Sequence, residues 1–217
     1  MKKVVWVFLG SGLLFSCGGG ERVSKEVFDE VNNTMEVKRL TEVEIQEEAM
    51  IWGDSITQEA QSNLLEQLQN AISEKGVSGA IEFCKISAFP ILEEVATKHG
   101  VSVRRVSNDY RNPADQPDSD EEPILEAYEY NAENGLQSDP NIQKLKNGEI
   151  LLYTKAIVIP GGLCLNCHGE PGKDINAETQ KTLETLYPQD LAVGHKVGDL
   201  RGMWAVRIPK KEVVNRL

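Results

Sequence analysis

The chain has no hydrophobic run long enough to cross a bilayer: the longest, Val4 to Phe15, is about 12 residues, where a spanning helix needs about 20. It is short of basic residues, with 23 Lys and Arg against 34 Asp and Glu and a formal net charge of −11. That balance argues against a nucleic-acid ligand, because phosphate contacts need clustered cations. An acidic surface is more commonly a solvated one than a docking patch for a basic partner, and the residues leave both open. Histidine and cysteine are scarce, three and four residues in 217, so each that appears in company is informative. No internal repeat is present.

What remains is the composition of a globular protein, 40% hydrophobic and 26% charged. The length suits one domain with extensions rather than two large ones. The opening "MKKVVWVFLGSGLLFSCGGG" sets a basic pair before the apolar run, which is the layout of an export signal. No A-x-A cleavage site follows, and "LFSC" resembles a bacterial lipobox, although Phe15 is an uncommon residue at its position. Residues 1–16 are therefore expected to be a signal peptide. Cys17 would be the lipidated first residue and residues 17–22 a Gly-rich tether. The protein is expected in the periplasm or another extracytoplasmic space, held to a membrane by acyl chains. An uncleaved anchor and a plain secreted protein are the alternatives.

Helical spacing of Val23, Val27, Val31, Met35, Leu40 and Val43 predicts an amphipathic helix over residues 22–52, broken near "VNNT". A second helix is predicted from Thr57 to Lys75, ended by Gly76, and a third from Ser78 to Gly100 with Pro90 as a kink. "VSVRRVS" alternates as a half-buried strand, residues 108–122 read as a loop, and "PILEAYEYNAENG" as a short helix. "EILLYTKAIVIP" predicts a central strand, "ETQKTLETLYP" a helix, and "LAVGHKVGDLRGMWAVRIP" two strands turning near Gly198. The expectation is an α+β fold: a helical region over 23–76, then a mainly antiparallel sheet within 77–217.

The densest chemistry lies in "GGLCLNCHGE". C-x-x-C-H is the attachment signature of c-type haem: two thiols add to the vinyl groups and the adjacent imidazole takes the iron. This assigns Cys164 and Cys167 to thioether bonds, His168 to the metal, and one haem to the one motif. A zinc site would need further ligands where only Cys84, His99 and His195 remain. A redox disulfide would need a helix start after the motif, and "HGEPGKD" is a poor one.

Cys84 is then left over. It shares a helix face with Ala80, Ile81, Ala88 and Ile91, so it is either a small buried hydrophobe or the ligand opposite His168. Among rivals, Met203 is expected to face away from the apolar core, with Arg201, Ala205 and Arg207. Leu200, Trp204, Val206 and Ile208 take the other side. Met35 and Met50 sit in amphipathic helix; His99 lies at a helix stop and His195 near a turn, and both read better as structural. An open sixth position also stands.

The pieces "GAIEFCKISAFPI", "VRRVSNDYRNPADQPD", "CLNCHG" and "YPQDLAVGHKVGDLRGMWAVRIP", in this order, resemble the family of PAS-like exported c-type haem domains. The resemblance spans about residues 78–209 and departs at Asp115, where relatives carry Asn. It implies a PAS-like sheet bearing a covalent haem, with His168 and Cys84 as its axial ligands. A thiolate opposite histidine lowers the potential. Arg104, Arg105 and Arg111 are candidates for the haem propionates, with surface ion pairs the plainer reading. The expected function is a membrane-tethered mono-haem cytochrome, not an enzyme, that senses redox state or a diatomic gas. No further domain follows Leu217, so a separate signalling protein is the expected partner. The alternative is a low-potential electron carrier serving a redox partner, and a peroxidase-like haem enzyme ranks lowest.

Overall fold

The computed structural model describes residues 24–27 and 39–217. Cys17, Met35 and the expected signal peptide lie outside them. The chain divides into compact units Met1–Arg39 and Leu40–Leu217. In the first, the described residues make one helical turn, with Val27 N donating to Ser24 Oγ at 3.3 Å.

In the second unit the chain enters α1, Glu42–His99, through a capping box: Thr41 Oγ1 accepts from Glu44 N while the Glu44 carboxylate accepts from Thr41 N. Residues 42–75 run as one helix, so the gap expected between residues 52 and 57 is absent. Gly76 breaks α1 with φ 70°, a left-handed value that glycine takes without strain. The two halves then run back beside each other. Lys98 and His99 both reach the Glu59 carboxylate, at 2.7 and 2.9 Å, and Trp52 Nε1 donates to His99 Nδ1 at 3.4 Å. Pro90 is accommodated within the helix, and Gly100 stops it at φ 64° with its N–H on the Ala96 and Thr97 carbonyls.

The sheet contains β1, Ser102–Val106; β2, Asn141–Leu145; β3, Ile150–Val158; and β4, Leu200–Pro209. Its order is β1-β4-β3-β2, and every neighbouring pair is antiparallel. Helix α2, Glu122–Glu133, follows β1, while α3, Gly162–His168, and α4, Ala177–Leu186, lie between β3 and β4; α5, Lys210–Val214, closes the chain. The result is the expected α+β class, helices followed by an open antiparallel sheet.

Alternation along the strands buries both faces. Val103, Leu151, Tyr153, Trp204, Val206 and Ile208 pack on α1 through Ile45, Ala49, Trp52, Ile56 and Val95. On the other face Val106, Leu152, Met203 and Ala205 pack under Leu125 and Tyr128 of α2. Met203 does face away from the α1 core, but it is fully buried in this second one. Leu200 also joins the α2 side, against the alternation predicted for it. The cause is a register shift at Ile157/Val158 beside Gly202, whose φ is 146°. Any Cβ at Gly202 would overlap the Val106 carbonyl oxygen, so the bulge is open to glycine alone.

One strand expectation fails, and one strand is unforeseen. Residues 191–197 form no strand, because their backbone groups bond to the 168–169 turn rather than to a neighbouring strand. The strand β2 falls where no element is predicted: "NIQKL" is a polar edge strand, whose signal is weak because only one side of it needs a partner.

Candidate functional site

The short helix α3 carries Cys164 and Cys167 one turn apart, with His168 as its last residue. Cys84, Cys164 and Cys167 are free thiols, each partly buried. After α3 the chain turns sharply at Gly169, where a Cβ would strike the Asp174 side chain and the Leu165 carbonyl. The segment 187–199 then wraps the motif. Gly194 N donates to Gly169 O at 2.8 Å, and His195 N to His168 O at 2.9 Å.

His168 Nδ1 lies 2.8 Å from the Ala192 carbonyl oxygen. A carbonyl only accepts, so Nδ1 holds the proton and Nε2 keeps its lone pair. Arg201 Nε is 3.3 Å from the same Nδ1. A protonated ring nitrogen has no in-plane pair to offer it, so this is a charge set beside the ring, and the shorter bond decides the tautomer. Burial, then Arg111 and Arg201, hold His168 well below the ordinary imidazole range, so it stays neutral.

Arg111 binds motif and loop together. Its NH2 donates to Cys167 O at 2.6 Å and Ala192 O at 3.1 Å, while Nε pairs with Asp190 at 3.0 Å. Asp190 also accepts from Ala192 N at 2.8 Å, fixing the carbonyl that orients His168.

Cys84 comes from α1 on the face expected for it: Ala80, Ile81, Ala88 and Ile91 are all buried. Burial pushes its thiol up, and Arg105 and Arg111 oppose the rise. Cys84 in turn raises Cys167, after burial, and helps burial push the Tyr187 phenol up to about 12. Cys84, Cys167, Tyr187, Arg105 and Arg111 thus share one neighbourhood, although α1 and α3 are far apart in the chain.

The three predicted arginines separate. Arg105 projects from the α1 face of β1, and its buried Nε has no hydrogen-bond partner. Arg104, next in the strand, faces the other way, bonding the Ala114 and Gln116 carbonyls and pairing with Glu121 at 3.4 Å. The Asp115 carboxyl is raised by burial and restrained by Arg105, Arg201 and Arg104. Among the rival ligands, His195 is buried, its ring 6.3 Å from that of His168 and its Nε2 unpartnered. His99 is bonded to Glu59, and Met50 packs on the α1 core. Among the described residues no three His, Cys, Asp or Glu side chains converge into a metal cage.

Arg201 is the site residue that sequence reasoning missed. Strict alternation set it beside Met203, and the Gly202 bulge re-aims it toward His168. The signal was the "RG" pair itself, a glycine inside a strand.

The sequence matches the model of the Tll0287-like family (Tll0287) over residues 23–209. Among solved structures it is similar to the crystal structure of the cyanobacterial haem protein Tll0287, at 31% identity over 67% of this chain and 89% of that one, with a TM-score of 0.46. No curated protein matches it.

Proposed function

This chain belongs to the Tll0287-like family, and we propose on that premise that it is a haem protein whose single haem is joined to Cys164 and Cys167, with His168 and Cys84 as axial ligands. The donor set fits that group. Two free thiols stand one turn apart on α3, and Arg105 brings a buried, unpartnered donor suited to a propionate. The observation that carries the reading is the His168 Nδ1 bond to the Ala192 carbonyl, because it leaves Nε2 as the free donor. When bound, the haem supplies one-electron redox chemistry and a site for small ligands.

The chain's own residues orient and enclose. Ala192 and Arg111 fix the imidazole and the motif backbone, and Ile81 and Tyr187 pack in one cluster with Cys167. A thiol ligand on a different helix from the covalent attachment can be lost or exchanged without losing the haem. We therefore read the protein as a redox- or gas-responsive haem module, with no catalytic role, tethered to a membrane through Cys17 in an extracytoplasmic compartment and acting on a separate partner. A low-potential electron carrier is the second reading, favoured by the exposed Leu163 on the attachment helix of a strongly acidic chain.

Optical and EPR spectra of the purified holoprotein, oxidised and reduced, test this. The expected result is covalent, low-spin haem with thiolate ligation in the ferric state, and a Soret band that moves in Cys84→Ala while the haem stays attached. An unchanged spectrum in Cys84→Ala removes it as ligand. Carbon monoxide or nitric oxide that leaves the reduced spectrum untouched, with rapid reduction by a partner cytochrome, favours the carrier. A mature N-terminus other than Cys17, read by mass spectrometry, removes the lipid anchor.

A further inference from the structure

We propose that Arg201 is a positioning residue that raises the potential of the haem iron by holding a positive charge against the outer nitrogen of its histidine ligand. The inference rests on the reading that His168 binds the iron of an attached haem. Its basis is the aim and isolation of one guanidinium.

Arg201 sits one residue before the Gly202 bulge, and the bulge turns its side chain out of the Met203 and Ala205 row. The guanidinium is held from several sides. NH1 donates to Ser107 Oγ at 3.0 Å and to Asp109 O at 2.9 Å, and Ser107 Oγ itself donates to the Arg201 carbonyl at 2.9 Å. Nε then rests 3.3 Å from His168 Nδ1. Its hydrogen-bonding partners are neutral, whereas Arg104, Arg111 and Arg207 each close an ion pair with a carboxylate. Asp115 and Asp190 bear on Arg201 from farther off, and its guanidinium is a cation at neutral pH.

The electrostatic consequence has one sign. Ferric haem carries one more positive charge than ferrous, and a fixed cation beside the axial imidazole disfavours that extra charge. Partial burial keeps the effect from being screened by salt. A Cys84 thiolate ligand would favour the ferric state, so Arg201 would act in the opposite direction to Cys84 and narrow the fall in potential that the thiolate causes.

The test is spectroelectrochemistry of the haem-loaded protein, with covalent haem first verified in the wild type as the alkaline pyridine haemochrome. Arg201→Gln is expected to raise the ferric-to-ferrous ratio at a fixed electrode potential by about tenfold, a fall in midpoint of about 59 mV for one electron. Arg201→Lys, which keeps the charge, should recover most of that shift. Ser107→Asp leaves Arg201 in place and neutralises it, so it should lower the midpoint as well.

Equal midpoints in wild type and Arg201→Gln, or the same fall in Arg201→Lys and Arg201→Gln, overturn the proposal. If Arg201→Gln fails to load haem, Ser107→Asp decides, and an unchanged midpoint there overturns it. Failure of both to load haem makes the residue one of assembly and overturns it too. A wild type without covalent haem defeats the underlying reading instead, which keeps the two failures apart.

Discussion

Two groups of arginines flank the same sheet and are treated in opposite ways. On the α2 side Arg104 and Arg207 close on Asp118 and Glu121, with Arg207 donating to Glu121 Oε1 at 2.6 Å and to Asp118 Oδ2 at 2.7 Å. The Glu121 side chain is wholly buried, and its two oxygens divide between the two arginines. On the other side Arg105 and Arg201 have neutral partners or none, and among the described residues only Arg111 of that group has an ion pair. The first group is complete within the chain. The second leaves the buried Arg105 Nε without a partner and sets Arg201 against neutral groups, and it lies around Cys84 and His168.

The sharpest break in this contrast comes at the motif. Cys164→Ala or His168→Ala should abolish normal haem incorporation, read as loss of the covalent haem band on a denaturing gel, with the α2-side ion pairs untouched. Next in size, Glu121→Gln should lower the unfolding free energy by about 1–2 kcal/mol, because it removes the buried one of the two carboxylates that Arg104 and Arg207 share while Asp118 remains. A lowered denaturant midpoint with an unaltered Soret band is the expected pair of readings.

Arg105→Met tests the other half. It removes a buried donor that has no partner, so the haem-free chain should keep its stability to within about 1 kcal/mol, while the haem-loaded protein loses stability against wild type, read from the denaturant midpoints of the two forms. A large loss of stability in the haem-free variant would erase the distinction between the groups.

The smallest effect calibrates both. Lys155 lies 2.5 Å from Asp54 at a more open position, and it holds the Asp54 carboxyl below the ordinary 3.8. A depressed carboxyl stabilises the fold above its unfolded pKa and loses that contribution as pH falls through its folded value. Lys155→Met should therefore reduce stability slightly at pH 6, with the difference from wild type shrinking as the pH falls through the folded value of Asp54, as seen in melting curves across the acid range.

Much of the fold was legible from the sequence. Gly76 and Gly100 marked the helix ends, "EILLYTKAIVIP" declared a central strand, and the face of Cys84 followed from helical spacing. The misses have a common physical origin. The 191–197 segment alternates like a strand, yet its amides and carbonyls are used by His168 and Gly169, a tertiary demand that no local pattern records. Arg201 and Leu200 follow alternation on paper, and one glycine with φ 146° shifts them. The motif named its own three residues, but the groups that aim it, Ala192, Asp190 and Arg201, arrive after it from a stretch whose pattern predicted something else.

The bond from His168 to Ala192 has a consequence for inheritance. Its acceptor is a main-chain oxygen, present whatever residue stands at 192, so no substitution there deletes it outright. Ala192 is itself fully enclosed, and a mutational scan would register the position as a size limit rather than as part of the His168 site. Selection reaches the orientation of the imidazole only through the path of the loop, held by Arg111 and Asp190. The residues that drift would then be those that leave this path intact, and the contact closest to the His168 ring would leave no letter of its own in the sequence.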